Sequence, residues 1–132
     1  MDDGAVKNRP LAERLGFAVA GLCAGWRRER SFRTHIGAAG LVLVALIVLQ
    51  PAPVWWAIIA IAVCLVMALE LINGAVETMA DLLHPGIHPE VKVLKDMLAG
   101  AVLVVSVGAV CVAAALAWES LPRVLMVLGI GR

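Results

Sequence analysis

Two long stretches without a single Asp, Glu, Lys or Arg constrain this chain more than anything else in it: Thr34 to Leu69, and Met97 to Trp118. The second suits one transmembrane helix, which takes about 20 apolar residues. The first is too long for one. As a single helix it would reach roughly 50 Å, against a hydrocarbon core of about 30 Å. Gln50-Pro51-Ala52-Pro53 lies near its middle, and two prolines so close break a helix. The expectation is a tight turn between a first span at about Ile36–Leu49 and a second at about Val54–Ile72, with a third at 97–118.

Composition agrees. Of 132 residues 62% are hydrophobic and 16% charged, with a mean hydropathy of +0.95. Soluble domains run at about 45–50% and about 25%. The chain is too apolar to be disordered, and a net charge of +1 offers no basic surface for nucleic acid. Cys23, Cys64 and Cys111 are too far apart for a disulfide framework or a zinc ribbon. A buried hairpin in a soluble protein is disfavoured, because so short a chain has little polar surface to cover three such helices. The first 33 residues lack the early apolar core of a signal peptide.

Seven of the eleven basic residues, Lys7, Arg9, Arg14, Arg27, Arg28, Arg30 and Arg33, precede the first span. Lys92 and Lys95 lie between the second and third. The excess of positive charge puts the N-terminus and the second loop in the cytoplasm and the C-terminus outside. Arg123 and Arg132 oppose this but are outnumbered. From Leu11 to Trp26, Leu11, Leu15, Ala18, Leu22 and Trp26 recur at three- and four-residue steps between basic residues, the pattern of a helix lying in the membrane interface. The expected architecture is all-α and integral to the membrane. It is one domain over 1–132, with an interfacial helix and cytoplasmic N-terminus in 1–33 and a three-span bundle in 34–132.

Polar residues then appear where the second span ends. In Ala68-Leu69-Glu70-Leu71-Ile72-Asn73-Gly74-Ala75-Val76-Glu77-Thr78-Met79-Ala80-Asp81 nothing breaks a helix. Glu70, Asn73, Glu77 and Asp81 fall at steps of three, four and four and share one face. Ionisable groups at a membrane boundary mark functional sites by default. Glu70 and Glu77 are about 10 Å apart along a helix, too far to share one proton. Carboxylate and carboxamide oxygens suit a hard cation such as Mg²⁺, which takes one or two protein carboxylates and completes its shell with water and phosphates. The alternative for the stripe is hydrogen bonding that glues an oligomer. The loop expected from His84 to Asp96 adds Lys92 and Lys95, which could meet phosphate or simply anchor the third span. No P-loop and no protein-kinase signature occurs. A small transporter coupling through Glu70 is a further alternative; it leaves Glu29 and Lys95-Asp96 without a purpose.

The segment from Glu70 to Asp81 resembles the signature of the prokaryotic diacylglycerol kinase family, E-x-[apolar]-N-[small]-[small]-[apolar]-E-x-x-x-D. Glu29-Arg30-Ser31-Phe32-Arg33 resembles the family's E-x-x-F-R element. Lys95-Asp96 with Ala99-Gly100-Ala101-Val102-Leu103-Val104 resembles its K-D-x-x-A-G-A-V-L-V opening of the third span. The resemblance implies a lipid kinase of the bacterial cytoplasmic membrane, a homotrimer of three-span subunits, that uses ATP and Mg²⁺ to phosphorylate diacylglycerol or undecaprenol. It implies Glu70 as the general base, and Glu29 and Glu77 as metal ligands. Phe17, Glu29, Glu77, Gly86, Ile87, His88, Lys95 and Asp96 are implied around the nucleotide. Arg14, Trp26, Arg33, Glu70, Asn73, Ala99 and Trp118 are implied around the lipid.

Three positions depart from the family pattern: Gly74 stands where Ser or Thr is common, Phe17 where some members carry Tyr, and Pro10 where some carry a basic residue. Losing the hydroxyl at Gly74 is expected to leave the fold intact. His35 and His88-Pro89-Glu90-Val91-Lys92 resemble the undecaprenol kinase branch more than the diacylglycerol-specific one.

Overall fold

The structure is a computed structural model and describes residues 10–86, 88–127 and 129. Among these the regular elements are four helices, α1 (Leu11–Arg28), α2 (Arg30–Leu49), α3 (Pro53–Leu83) and α4 (Pro89–Val127). The last three are long and apolar enough to cross a membrane.

Each boundary has a local cause. Glu29 leaves helical geometry (φ −99, ψ 114), closing α1 through its N–H to the Gly25 carbonyl and opening α2. Arg27 and Arg28 in the last turn of α1 oppose the negative end of its dipole. Gln50 ends α2 in the left-handed region, with φ 43 and ψ 54. The guanidinium of Arg123 reaches across from α4 to cap the freed carbonyls of Leu49 and Gln50 at 3.1 and 3.3 Å. Pro53 then starts α3 at a position where a missing N–H costs nothing.

Two expectations are corrected here. The first span is not confined to 36–49, because α2 begins at Arg30. Arg30 and Arg33 occupy its first turn, ahead of the apolar part, so their charge does not interrupt the helix. The division between residues 33 and 34 therefore falls inside a helix. The segment from Pro89 to Asp96 is not loop but the opening of α4, where proline is tolerated. The expected helical continuation of the second span through Asp81 holds.

Packing is sparse, as a bilayer allows. Leu46, Ile59 and Leu116 form the buried cluster at the end of the bundle near Gln50, with Val42, Trp55, Trp56, Val63 and Val112 against it. Trp55 Nε1 donates to Glu119 Oε2 at 3.0 Å there. At the other end Phe32 is buried, 2% exposed. Gly25 lets α1 approach α3: a Cβ on it would lie 2.6 Å from Leu71 Cδ2. Most other large apolar side chains, including Leu41, Val48, Leu103, Val104 and Val110, are exposed.

Candidate active site

The polar stripe falls at one end of the bundle, and helix length says how deep. Counting from Pro53, Glu70 lies about 26 Å along α3 and Glu77 about 36 Å, against a hydrocarbon core of about 30 Å. Glu70 is thus at the boundary and Glu77 beyond it.

Glu70 is 3% exposed and held from α2. Ser31 Oγ donates to its Oε2 at 2.7 Å, and His35 Nδ1 lies 3.0 Å from its Oε1. A buried carboxylate needs such partners. Two bonds leave part of its acceptor capacity free. Sequence reasoning did not place Ser31 here and noted His35 only for the branch it resembles. Their i, i+4 spacing, which puts both on one helix face, was the available signal.

One turn further on, Asn73 Nδ2 donates to Glu77 Oε1 at 3.0 Å. The other amide atom, Asn73 Oδ1, is buried without a hydrogen-bond partner. Glu29 comes from the α1–α2 joint and lies over Gly74. A Cβ on Gly74 would be 2.9 Å from Glu29 Cγ, Cδ and Oε1. The bare glycine is therefore the seat of that side chain. A cleft of about 740 Å³ opens beside it, lined by Gly21, Gly25, Arg28, Glu29, Leu71 and Ala75 among others. No three His, Cys, Asp or Glu side chains cluster among the described residues. The carboxylates of Glu29 and Glu77 and the orphaned Asn73 Oδ1 are hard oxygen donors, the chemistry Mg²⁺ accepts when phosphates and water fill the rest of its shell.

Lys95 Nζ donates to Asp81 Oδ1 at 2.5 Å, tying α4 to the stripe. Lys92 Nζ donates to Asp96 Oδ2 at 2.6 Å along α4. Both lysines lie in the turns before the charge-free segment from Met97. Their hydrogen bonds to Asp81 and Asp96 raise the ammonium pKa of each above 10.5. A raised lysine pKa stabilises below 10.5, and the gain is lost as pH rises past that value. The two pairs therefore persist throughout the neutral range.

The remaining expected residues are only partly brought together. Gly86 and His88 lie at the same end, with the His84 and His88 rings 5.6 Å apart; Ile87 lies outside the described residues. Arg33 Nη1 donates to the Trp26 and Arg27 carbonyls at 2.9 and 3.5 Å, closing the end of α1. Arg14, Phe17 and the Trp26 ring are exposed along α1, and Ala99 is exposed on α4. Trp118 is 78% exposed and does not join them. It precedes Glu119, the partner of Trp55, and is about 28 Å along α4 from Ala99. Ala99 and Trp118, both expected along the lipid, are thus separated by the length of α4.

Comparison with known proteins gives a match to the prokaryotic diacylglycerol kinase family over residues 16–117. The chain is similar to a diacylglycerol kinase of Synechocystis, 37% identical over 73% of this chain and 55% of that protein. It is similar to an undecaprenol kinase of Bacillus subtilis, 38% identical over 61% of this chain and 66% of that one. It is also similar to a diacylglycerol kinase of Escherichia coli, 31% identical over 83% and 89%. The chain thus spans about half the length of the Synechocystis relative and just under two thirds of the Bacillus one.

Proposed function

The chain belongs to the prokaryotic diacylglycerol kinase family, and on that premise we propose that it is a membrane lipid kinase. It transfers the terminal phosphoryl group of ATP to a lipid hydroxyl, diacylglycerol giving phosphatidic acid or undecaprenol giving undecaprenyl phosphate. The observation that carries this reading is Glu70: a buried carboxylate with free acceptor capacity, at the depth where a lipid hydroxyl meets water. Glu70 takes the hydroxyl proton as the oxygen attacks the phosphorus in line and ADP leaves. Glu29 and Glu77 would hold Mg²⁺, which supplies neutralisation of the triphosphate charge. Asn73 steadies Glu77.

Lys95 and Asp96 contact the nucleotide, exchanging part of their present ion pairs for it, with Gly86 to His88 alongside. Phe17 borders it from α1. The lipid lies along α1 and the outer faces of the bundle, past Arg14, Trp26, Arg33 and Ala99. Trp118 is reached only by the far end of a long chain. The site end faces the cytoplasm of a bacterial inner membrane, a side favoured by the seven basic residues up to Arg33. The exposed apolar faces suit lipid and two further copies in a trimer. His35 and the His88-to-Lys92 segment lean the reading towards undecaprenol. The transporter alternative is not favoured, because the matched family is one of kinases.

The test is purified protein in bilayers with radiolabelled ATP and both lipids side by side. Label is expected in one or both lipids, and only with Mg²⁺ present. Glu70→Gln is expected to lower kcat by about 10²–10⁴, the usual worth of a general base, with little change in KM. Wild-type turnover in Glu70→Gln would remove Glu70 from the role of base.

A further inference from the structure

The base has a contact that the reaction set out above does not use. His35 on α2 stands between Glu70 on α3 and Ser106 on α4. Its Nδ1 lies 3.0 Å from Glu70 Oε1 and 3.0 Å from the Ser31 carbonyl oxygen. A carboxylate and a carbonyl only accept, so Nδ1 carries the ring proton. In the neutral ring Nε2 is then an acceptor, and the Ser106 hydroxyl 3.4 Å away is its donor. That separation is long, and hydrogen bonds of catalytic groups are commonly long before substrate binds. The surroundings offer little else. His35 and Ser106 border a cavity of about 300 Å³ walled by Ala38, Val42, Val66 and Ala109 among others. The other hydroxyl on that wall, Thr34 Oγ1, is engaged with the Arg30 carbonyl.

We propose that His35 is a positioning residue for the base and that Ser106 orients its ring. The inference rests on the reading of Glu70 as base. With Ser31 on Oε2 and the His35 Nδ1–H on Oε1, the carboxylate is held at both oxygens, and its free lone pairs keep one direction toward the lipid hydroxyl. Without the Ser106 hydroxyl, Nε2 faces an apolar cavity with no donor, and the ring is free to turn about its Cβ–Cγ bond and draw the Nδ1–H off Oε1.

Steady-state kinetics in bilayers test this by separating kcat from lipid KM. Ser106→Ala is expected to lower kcat about 5-fold, the worth of one neutral hydrogen bond, with lipid KM within about 2-fold. Ser106→Thr, which keeps the hydroxyl, restores kcat. His35→Ala lowers kcat about 10- to 100-fold, as loss of a bond to a charged group does. His35→Asn places an amide N–H near the position of Nδ1 and recovers most of that loss. Ser106→Ala added to His35→Asn has no further effect, because Asn has no Nε2 for the hydroxyl to meet. Wild-type kcat in Ser106→Ala, or an equal loss in the His35→Asn background, would overturn the proposal. Glu70→Gln distinguishes the failures. If it is active, the base assignment falls; if it is inactive while Ser106→Ala is not impaired, only the role of His35 and Ser106 falls.

Discussion

Gly74 shows how much one missing Cβ can decide. Glu29 lies across it, with three side-chain atoms 2.9 Å from where a Cβ would be. On sequence grounds the glycine looked like the harmless loss of a hydroxyl. In the structure it is the seat of a proposed metal ligand. The far end of Glu29 can yield, so a larger residue should spare the fold and move the carboxylate. Gly74→Ser is therefore expected to leave thermal stability within about 1 kcal/mol while raising the Mg²⁺ concentration needed for half-maximal activity. A magnesium titration at saturating lipid checks this. An unchanged requirement would mean that Glu29 does not depend on Gly74 for its place. Asn73 belongs to the same scale. Its amide is split between a satisfied nitrogen and an orphaned buried oxygen, and such an oxygen costs about 1–3 kcal/mol unless a ligand meets it.

At the scale of the helix, the contact of α1 with α3 runs through Gly25 against Leu71, with Phe32 of α2 beside it. Gly25→Val would overpack a joint with no room for one methyl group. The expected cost is about 1–3 kcal/mol, read as a lower unfolding temperature in detergent. Activity should fall as well, because α1 leads directly into Glu29. The helices themselves were largely legible. Freedom from charge marked the spans, the two prolines marked the turn, and steps of three and four marked the stripe on α3. The starts of α2 and α4 were not legible. Arg30 and Arg33 read as an end to apolarity, although a helix can begin before the bilayer does. Pro89 read as loop, although proline suits a first turn. Glu70, Asn73 and Glu77 could be placed together because one helix carries them. Ser31 and His35 reach Glu70 from α2 and Ser106 reaches His35 from α4, and the spacing along one helix does not say which residue of the next it meets.

Across the whole molecule the near-neutral charge conceals two opposed regions. The residues before the first span carry an excess of positive charge, and those from Glu70 to Asp96 an excess of negative charge. The fold brings the described parts of both to one end. Arg123, which opposed the proposed orientation on a simple count, is occupied at the other end as a cap on α2. In a cysteine-free background, Gly86→Cys should react with an impermeant thiol reagent from the cytoplasmic side only, and Ala52→Cys from the opposite side only. Labelling of both from one side would reject the three-span topology.

Glu29 finishes one helix and begins another, so the direction of its side chain follows the angle between them. The helix before the joint is rich in outward-facing Leu11, Leu15, Leu22 and Trp26; the helix after it packs against α3 through Ser31 and His35 on Glu70. With α1 on the membrane surface, as the interfacial reading expects, a change in its tilt would also turn this carboxylate over Gly74. The joint would then act as a crank between the bilayer surface and the proposed centre.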